Sequence, residues 1–194
     1  MTPDARRLAE ILRGSPRVMA VLEAARPLAL PDPLLFSGAV YQTAWNALTG
    51  REPDYGIKDY DLGLFDPDTS WEAEDVWIKA VARALDPPLR EAVEVRNQAR
   101  VHLWFNDRFG GEPYPPLHST AEALERFVCP AFAVGARLDR MGEVEIVAPF
   151  GLEDLFTMRL RPNPRRPFLP HAFARVTESA AARWPELQVI GPDA

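Results

Sequence analysis

The spacing of hydrophobic residues predicts two amphipathic helices at the start of the chain. Apolar side chains recur at helical intervals between residues 3 and 13, and a second stripe continues to about residue 25. Thr2 followed by Pro3 is typical of a helix N-terminus. A stiff irregular connector is then expected from three closely spaced prolines, Pro27, Pro31 and Pro33.

A strand, a glycine turn and a helix are predicted next. The apolar run 34–36 leads into Ser37-Gly38-Ala39, and residues 40–48 have helical spacing that stops at Gly50. From residue 59 to residue 65 polar and apolar positions alternate, which is typical of a half-buried strand. The region therefore predicts two strands connected through a helix.

The rest of the chain continues the mixture of helices and strands. The predicted elements are a helix over 71–85 capped by Ser70, a strand over 91–96 with β structure extended through 101–105, a loop over 110–113, a helix over 119–127, a hairpin of 131–138 with 143–147, and helices over 152–160 and 171–184. This order predicts an α+β fold in which a small mixed sheet packs against helices.

Length and charge limit the possible functions. The chain has 194 residues, which suits one domain, and a formal net charge of −6. An acidic protein is not expected to bind long nucleic acid broadly, although a local basic groove for a tRNA end remains open. Four late arginines either contact phosphate or an acidic partner or lie at a solvated helix end: Arg159, Arg161, Arg165 and Arg166.

The single cysteine and the hydropathy pattern bear on location. Cys129 excludes an intramolecular disulfide and a cysteine-based zinc cluster, and its sequence context predicts a buried structural thiol. No apolar run is long enough to span a bilayer, and no secretory signal is recognised. A cytoplasmic protein without a membrane partner is expected.

Two carboxylates on the second predicted strand are the main candidates for chemistry. Asp59 and Asp61 stand at i and i+2 and therefore project from the same face of the strand. Oxygen ligands in this arrangement prefer Mg²⁺ or Mn²⁺. Glu94 on the next strand is the candidate third carboxylate, and Glu91 is a competitor on the opposite face.

The glycine turn and a polar run are further candidates. Gly38 opens a helix, where backbone N–H groups and the helix dipole favour phosphate oxygens. A polar run within predicted β structure is either a nucleotide or acceptor pocket or a network that supports the sheet edge; it consists of Arg96, Asn97, Gln98, Arg100 and His102.

Several segments in order resemble the nucleotidyltransferase-like proteins of the DNA polymerase beta superfamily, and more narrowly a little-characterised bacterial branch of it. The resemblance covers about residues 34–190. The matching segments are Ser37-Gly38-Ala39, 45–50, Lys58-Asp59-Tyr60-Asp61, 70–75, 95–104 and 148–156.

The resemblance implies transfer of a nucleoside monophosphate from an NTP to a hydroxyl-bearing acceptor, with release of pyrophosphate. It implies that Asp59 and Asp61 bind Mg²⁺ or Mn²⁺. It also implies that Glu94 is the third metal ligand or the base for the acceptor hydroxyl. Phosphate binding falls to Gly38 with its neighbours Ser37 and Ala39. The implied division is a helical extension over 1–33, a catalytic-type core over 34–105, and a C-terminal hairpin with helices over 106–194.

Ala39 departs from the superfamily pattern, which often has a serine directly after the glycine. Gln42 and Thr43 on the following helix are candidates to replace that hydroxyl. The departure favours an alternative function, a catalytically weak nucleotide-binding or regulatory protein with the same fold. The expected acceptor is a small molecule or a protein hydroxyl, and the sequence leaves its identity, the preferred NTP, the oligomeric state and any regulatory partner open.

Overall fold

The computed structural model describes residues 1–110 and 113–192. The predicted loop over 110–113 falls partly on Gly111 and Glu112, which lie outside the described residues. The helices are α1 (Pro3–Arg13), α2 (Pro16–Ala25), α3 (Gly38–Leu48), α4 (Trp71–Ala84), α5 (Leu89–Ala92), α6 (Val101–Phe109), α7 (Thr120–Leu124), α8 (Glu153–Phe156) and α9 (Pro170–Ala181). The strands are β1 (Leu34–Phe36), β2 (Tyr60–Leu64), β3 (Val93–Asn97), β4 (Gly135–Leu138), β5 (Val144–Val147), β6 (Arg159–Leu160) and β7 (Gln188–Val189).

Five strands form one mixed sheet in the order β3-β2-β1-β4-β5. Strands β2 and β3 are parallel, and the other neighbours are antiparallel. The predicted hairpin is therefore present as β4 and β5, and it enters the sheet beside β1. Strands β6 and β7 form a separate parallel pair. The predicted α+β class, a mixed sheet packed against helices, is confirmed.

Side-chain caps fix where several helices begin. The hydroxyls of Thr2, Ser70 and Ser119 accept hydrogen bonds from backbone N–H groups three residues later, which confirms these predicted starts. Ser15 does the same for α2 after Gly14 has ended α1. Such caps satisfy N–H groups that have no partner within the helix.

The predicted β structure over 101–105 is wrong, because these residues begin α6. The Asn97 side chain accepts a hydrogen bond from the Ala99 N–H at 3.1 Å and starts a 3-10 turn over 98–100. This turn redirects the chain into a helix despite the β propensity of its apolar residues. A local cap thus outweighs strand propensity here.

Two boundaries also differ from the prediction. The helix expected over 152–160 ends at Phe156, and Met158 has a positive φ of 53° that stops helical continuation. Residues 159–160 instead pair with β7, a strand that the sequence did not predict. At the other boundary, residues 89–92 form a single helical turn, so β3 begins at Val93 rather than Glu91.

Two buried tryptophans anchor the C-terminal part of the chain on α3. The rings of Trp45 and Trp184 lie 5.5 Å apart. The Trp184 indole N–H donates to the Asn46 side chain at 2.9 Å, and that of Trp45 donates to the Leu155 carbonyl at 3.2 Å. Because buried indole groups need such partners, these contacts fix the position of α3, whose N-terminus faces the candidate site.

Cys129 is fully buried, and burial raises the pKa of its thiol to about 12. The predicted structural role of this residue therefore agrees with its environment. None of the helices in the described part of the chain is long and apolar enough to cross a bilayer.

Candidate active site

The turn from β1 to α3 has an unusual backbone. Ser37 has φ 61° and ψ −143°, a combination that side-chain-bearing residues rarely adopt, and it precedes the first residue of α3. Its side chain does not cap the helix. Strain of this kind costs about 1–3 kcal/mol and is found mainly at functional sites. The turn therefore holds Ser37 in place at an energetic cost.

The predicted carboxylates come together at the neighbouring strands. Asp61 lies in β2 directly opposite Glu94 in the parallel register, and opposite Phe36 at the end of β1. Asp59 lies just before β2 begins. The sheet therefore brings Asp61 and Glu94 side by side, close to the N-terminus of α3.

Gly63 keeps room for an aromatic ring beside this pair. A Cβ at Gly63 would lie 2.4 Å from the ring of Phe36, closer than two carbon atoms can approach. The glycine thus allows the Phe36 ring to pack against β2 and to line the space in front of Asp61.

Asp61 carries poorly compensated negative charge. Burial, together with the nearby charges of Asp59 and Glu94, raises the pKa of Asp61 from 3.8 to about 6. Interaction with the Ser37 hydroxyl and the charge of Arg96 lower the pKa, but by less. A bound cation would relieve this repulsion.

The donor chemistry at this site fits Mg²⁺. Asp59 and Asp61 offer hard carboxylate oxygens, and Glu94 lies opposite with its carboxylate 3.4 Å from Arg96. Among the described residues no three His, Cys, Asp or Glu side chains converge as a complete ligand set. Mg²⁺ is commonly bound by one or two carboxylates together with substrate phosphates, so two aspartates and a nucleotide suffice.

A cleft opens in front of Asp61. It consists of two adjoining cavities of about 290 and 680 Å³, which share Asp61 and much of their lining. Glu94, Arg96 and Gln98 line the smaller cavity, and Ser37 lines the larger. Most of the remaining wall is apolar and aromatic: Phe36, Leu62, Val101, Trp104, Phe105, Tyr114, Phe127 and Val128.

The polar run begins at the end of β3. The sequence left two interpretations open for it, and some of its residues fit one while the others fit the other. Arg96 and Gln98 line the cleft, as a pocket requires. Asn97 is structural, because its side chain accepts from the Asp66 N–H at 3.0 Å and donates to the Asp66 carbonyl at 2.9 Å. Arg100 pairs with the buried Glu74. His102 does not line the cleft; its Nδ1 is buried without a hydrogen-bond partner among the described residues.

The four late arginines also fall into two groups, three that form ion pairs and one that lines the cleft. Arg159, Arg161 and Arg165 form ion pairs with Glu153, Asp154 and Glu125. Arg166 instead lines both cavities of the cleft.

Tyr114 and Arg126 also line the cleft, and the sequence did not single out either of them. Tyr114 follows a stretch of sequence rich in glycine and proline, and Arg126 follows the short helix α7. Neither belongs to a periodic pattern or motif that would have revealed it.

A separate cavity of about 450 Å³ lies beside Asp59. Lys58, Gln42 and Arg183 contribute to its wall. Arg183 donates to the Gln42 side chain at 3.3 Å and to the Gly56 carbonyl at 3.0 Å. Asp59 lines this cavity and Asp61 lines the cleft. The two carboxylates are still close enough for the charge of Asp59 to raise the pKa of Asp61. Arg183, on the segment after α9, gave no signal in the sequence.

The phosphate-binding candidates on α3 occupy different environments. Ala39 is fully buried in the core, backbone included, and it lines neither cavity of the cleft. The buried Thr43 hydroxyl donates to the Ala39 carbonyl at 2.7 Å. The Gln42 amide packs over Gly38, where an added Cβ would lie 2.7 Å from its nitrogen. Ser37 is therefore the hydroxyl of this turn that lines the cleft.

Two substitutions at Ser37 separate its hydroxyl from its backbone strain. Ser37→Gly should raise the free energy of unfolding by about 1 kcal/mol, because glycine adopts this conformation without strain. Ser37→Ala removes the same hydroxyl but keeps the strain, so it should not stabilise the protein. Denaturant unfolding of both variants checks this, and equal stabilities would contradict the proposed strain.

Comparison with known proteins agrees with this geometry. A solved NMR structure, described as revealing a CCA-adding enzyme head domain, is similar to the chain with a TM-score of 0.74 and 27% sequence identity, covering 96% of this chain and 95% of that one. No curated protein matches the chain. The model of a family described as nucleotidyltransferase matches residues 23–189. Because this match spans most of the sequence, the chain belongs to that nucleotidyltransferase family.

Proposed function

We propose that the protein transfers a nucleoside monophosphate from an NTP to a hydroxyl-bearing acceptor in an Mg²⁺-dependent reaction. A bond forms between the acceptor oxygen and the α-phosphorus, and the bond from that phosphorus to the bridging oxygen of pyrophosphate breaks. The acceptor proton passes to a carboxylate of the site. Pyrophosphate leaves.

The observation that carries this proposal is the placement of Asp61 opposite Glu94, with Asp59 and the start of α3 nearby. Bound Mg²⁺ would neutralise phosphate charge and stabilise the in-line displacement. Asp59 and Asp61 would hold the ion, and their mutual repulsion favours cation binding. This site chemistry agrees with the nucleotidyltransferase family and fold.

The chain's own residues have distinct proposed roles around this centre. The positive end of the α3 dipole lies beside Ser37, which lines the cleft, and it would attract phosphate oxygens there. Lys58 and Arg183 add positive charge beside Asp59, where the departing pyrophosphate would be bound. Glu94 lines the cleft and would accept the acceptor proton or complete the metal ligands.

A pyrophosphate-release screen tests the proposal. The protein is supplied with Mg²⁺, each of the four NTPs and a fractionated metabolite extract, and mass spectrometry identifies acceptors that gain a nucleoside monophosphate. Release should require both Mg²⁺ and an acceptor, and should fall by about a hundredfold or more in Asp59→Asn. Unchanged release in Asp59→Asn would contradict the assigned site.

The alternative is a nucleotide-binding protein with weak catalysis, which Ala39 favours because it supplies no hydroxyl. The Ala39 side chain is buried, whereas Ser37 lines the cleft. The turn therefore still provides one hydroxyl to the cleft, which argues for catalysis. Tight binding of Mg²⁺ and NTP without pyrophosphate release over the whole acceptor panel would support the alternative.

A further inference from the structure

Two arginines that line both cavities of the cleft lack acidic partners in the described part of the chain. Arg126 and Arg166 line both cavities, and within residues 1–110 and 113–192 neither guanidinium forms an ion pair. The Arg126 Nε is buried without a hydrogen-bond partner among those residues. Arg166 donates to the Arg126 backbone carbonyl, which keeps the two residues together. Both side chains are partly buried, and unpaired guanidinium charge is unfavourable in such a place. A ligand that supplies anionic oxygens would therefore be stabilised here.

Tyr114 lies with these arginines. It lines both cavities, and burial raises the pKa of its hydroxyl to about 12 against the opposing charges of Arg126 and Arg166. The hydroxyl therefore stays protonated at neutral pH and can donate a hydrogen bond. Two guanidinium groups and one hydroxyl together match the charge and the acceptor oxygens of a phosphate dianion, whereas a carboxylate would balance one of the two charges.

The wall beside these groups is aromatic. The rings of Phe105 and Tyr114 lie 4.6 Å apart, and those of Phe36 and Phe127 lie 6.1 Å apart in an edge-on arrangement. A ligand held here by a phosphate would place an apolar or aromatic body against these rings.

We propose that Arg126, Arg166 and Tyr114 form a phosphate subsite for the acceptor, and that the acceptor is a phosphate monoester with an apolar or aromatic body. This inference rests on the proposed function. Glu94, the candidate base, lines the same cavity as the two arginines, whereas Lys58, Asp59 and Arg183 surround the separate cavity assigned to pyrophosphate. Asp61 lines the cleft, Asp59 lines the other cavity, and the two substrates would meet at this pair of carboxylates.

Calorimetric binding of phenyl phosphate to the full chain, without metal or NTP, tests the subsite. The wild type should bind phenyl phosphate more tightly than either inorganic phosphate or phenol. Arg126→Gln and Arg166→Gln should each weaken binding by about tenfold, since each loses a charge-assisted interaction. Tyr114→Phe, which removes one hydroxyl and little volume, should weaken binding by a smaller factor.

Arg165→Gln is the matched control, because Arg165 is adjacent in sequence and pairs with Glu125 at 3.1 Å outside the cleft. It should bind phenyl phosphate as the wild type does, and thermal unfolding confirms that each variant is folded. A companion titration with Mg²⁺ and ATP should give unchanged affinity in Arg126→Gln and Arg166→Gln.

Three results would overturn the inference. The first is that the wild type does not bind phenyl phosphate. The second is that it binds inorganic phosphate and phenyl phosphate with equal affinity. The third is that the arginine variants also lose affinity for ATP and that ATP competes with phenyl phosphate. The last would assign the subsite to the NTP. The phenyl phosphate titration contains no NTP and measures binding rather than turnover. Each of these results would therefore contradict the subsite alone, and nucleotidyl transfer would still be tested by pyrophosphate release.

Discussion

Asp61→Asn should reduce nucleotidyl transfer by about a thousandfold or more, because it removes a charged metal-ligand candidate that lines the cleft. The substitution preserves size and leaves the β2 backbone able to pair with Glu94 on β3. Pyrophosphate release at saturating Mg²⁺ and NTP measures the loss. Asp75→Asn is the control, since Asp75 pairs with Lys79 on α4 and lies away from the cleft.

The same variant should be more stable than the wild type at neutral pH. The pKa of Asp61 rises from 3.8 to about 6 on folding, so folding takes up a proton between these values. Wild-type stability therefore falls as pH rises from about 4 to 6, whereas asparagine carries no such penalty. The gain should reach about 3 kcal/mol above pH 6 and disappear below about pH 4.

Denaturant unfolding across this pH range checks the sign of the effect. The surrounding groups are Asp59, Glu94, Arg96 and Ser37, all of which remain in the variant. A loss of stability in Asp61→Asn at pH 7 would contradict the account of a carboxylate destabilised by its surroundings. Added Mg²⁺ should narrow the difference, because the cation stabilises the ionised wild-type site.

Glu74→Ala should produce the largest loss of stability. Glu74 is 3% exposed, accepts a hydrogen bond from the Asn97 N–H at 2.8 Å and pairs with Arg100. Removing it leaves the partly buried Arg100 charge without its partner, which costs about 3–5 kcal/mol. For a chain of this size the melting temperature should fall by about 10 °C.

Glu72→Ala is the matched control for this prediction, since Glu72 is an exposed glutamate in the first turn of the same helix. It should change the melting temperature only slightly. If both variants melted at the same temperature, the buried pair would contribute nothing measurable, and the Asn97 network that supports the end of β3 would need another explanation.

The sequence predicted those parts of the fold that depend on local chemistry. Helix starts at Thr2, Ser70 and Ser119 follow from side chains that cap the next turn. Strand β2 follows from strict alternation. Glu94 was expected as a third carboxylate from a neighbouring strand. The parallel register of β2 and β3 places it opposite Asp61, and its role as a ligand stays a prediction.

The features that the sequence did not predict depend on a local cap in one case and on distant contacts in the others. Residues 101–105 have β propensity, and their helical state follows from a turn set by the Asn97 side chain. Strand β7 exists because residues 188–189 meet 159–160 across the fold. Arg126 and Tyr114 reach the cleft through packing of separate loops and helices. No spacing within a segment encodes such encounters.

The position of the label in the product tests the central claim most directly. The protein is incubated with Mg²⁺, acceptor and NTP labelled with ³²P at either the α or the γ phosphate. Nucleotidyl transfer predicts that the α label enters the product and the γ label is released as pyrophosphate, with both signals lost in Asp61→Asn. A product that carries the γ label, or α-label transfer undiminished in Asp61→Asn, would contradict the account.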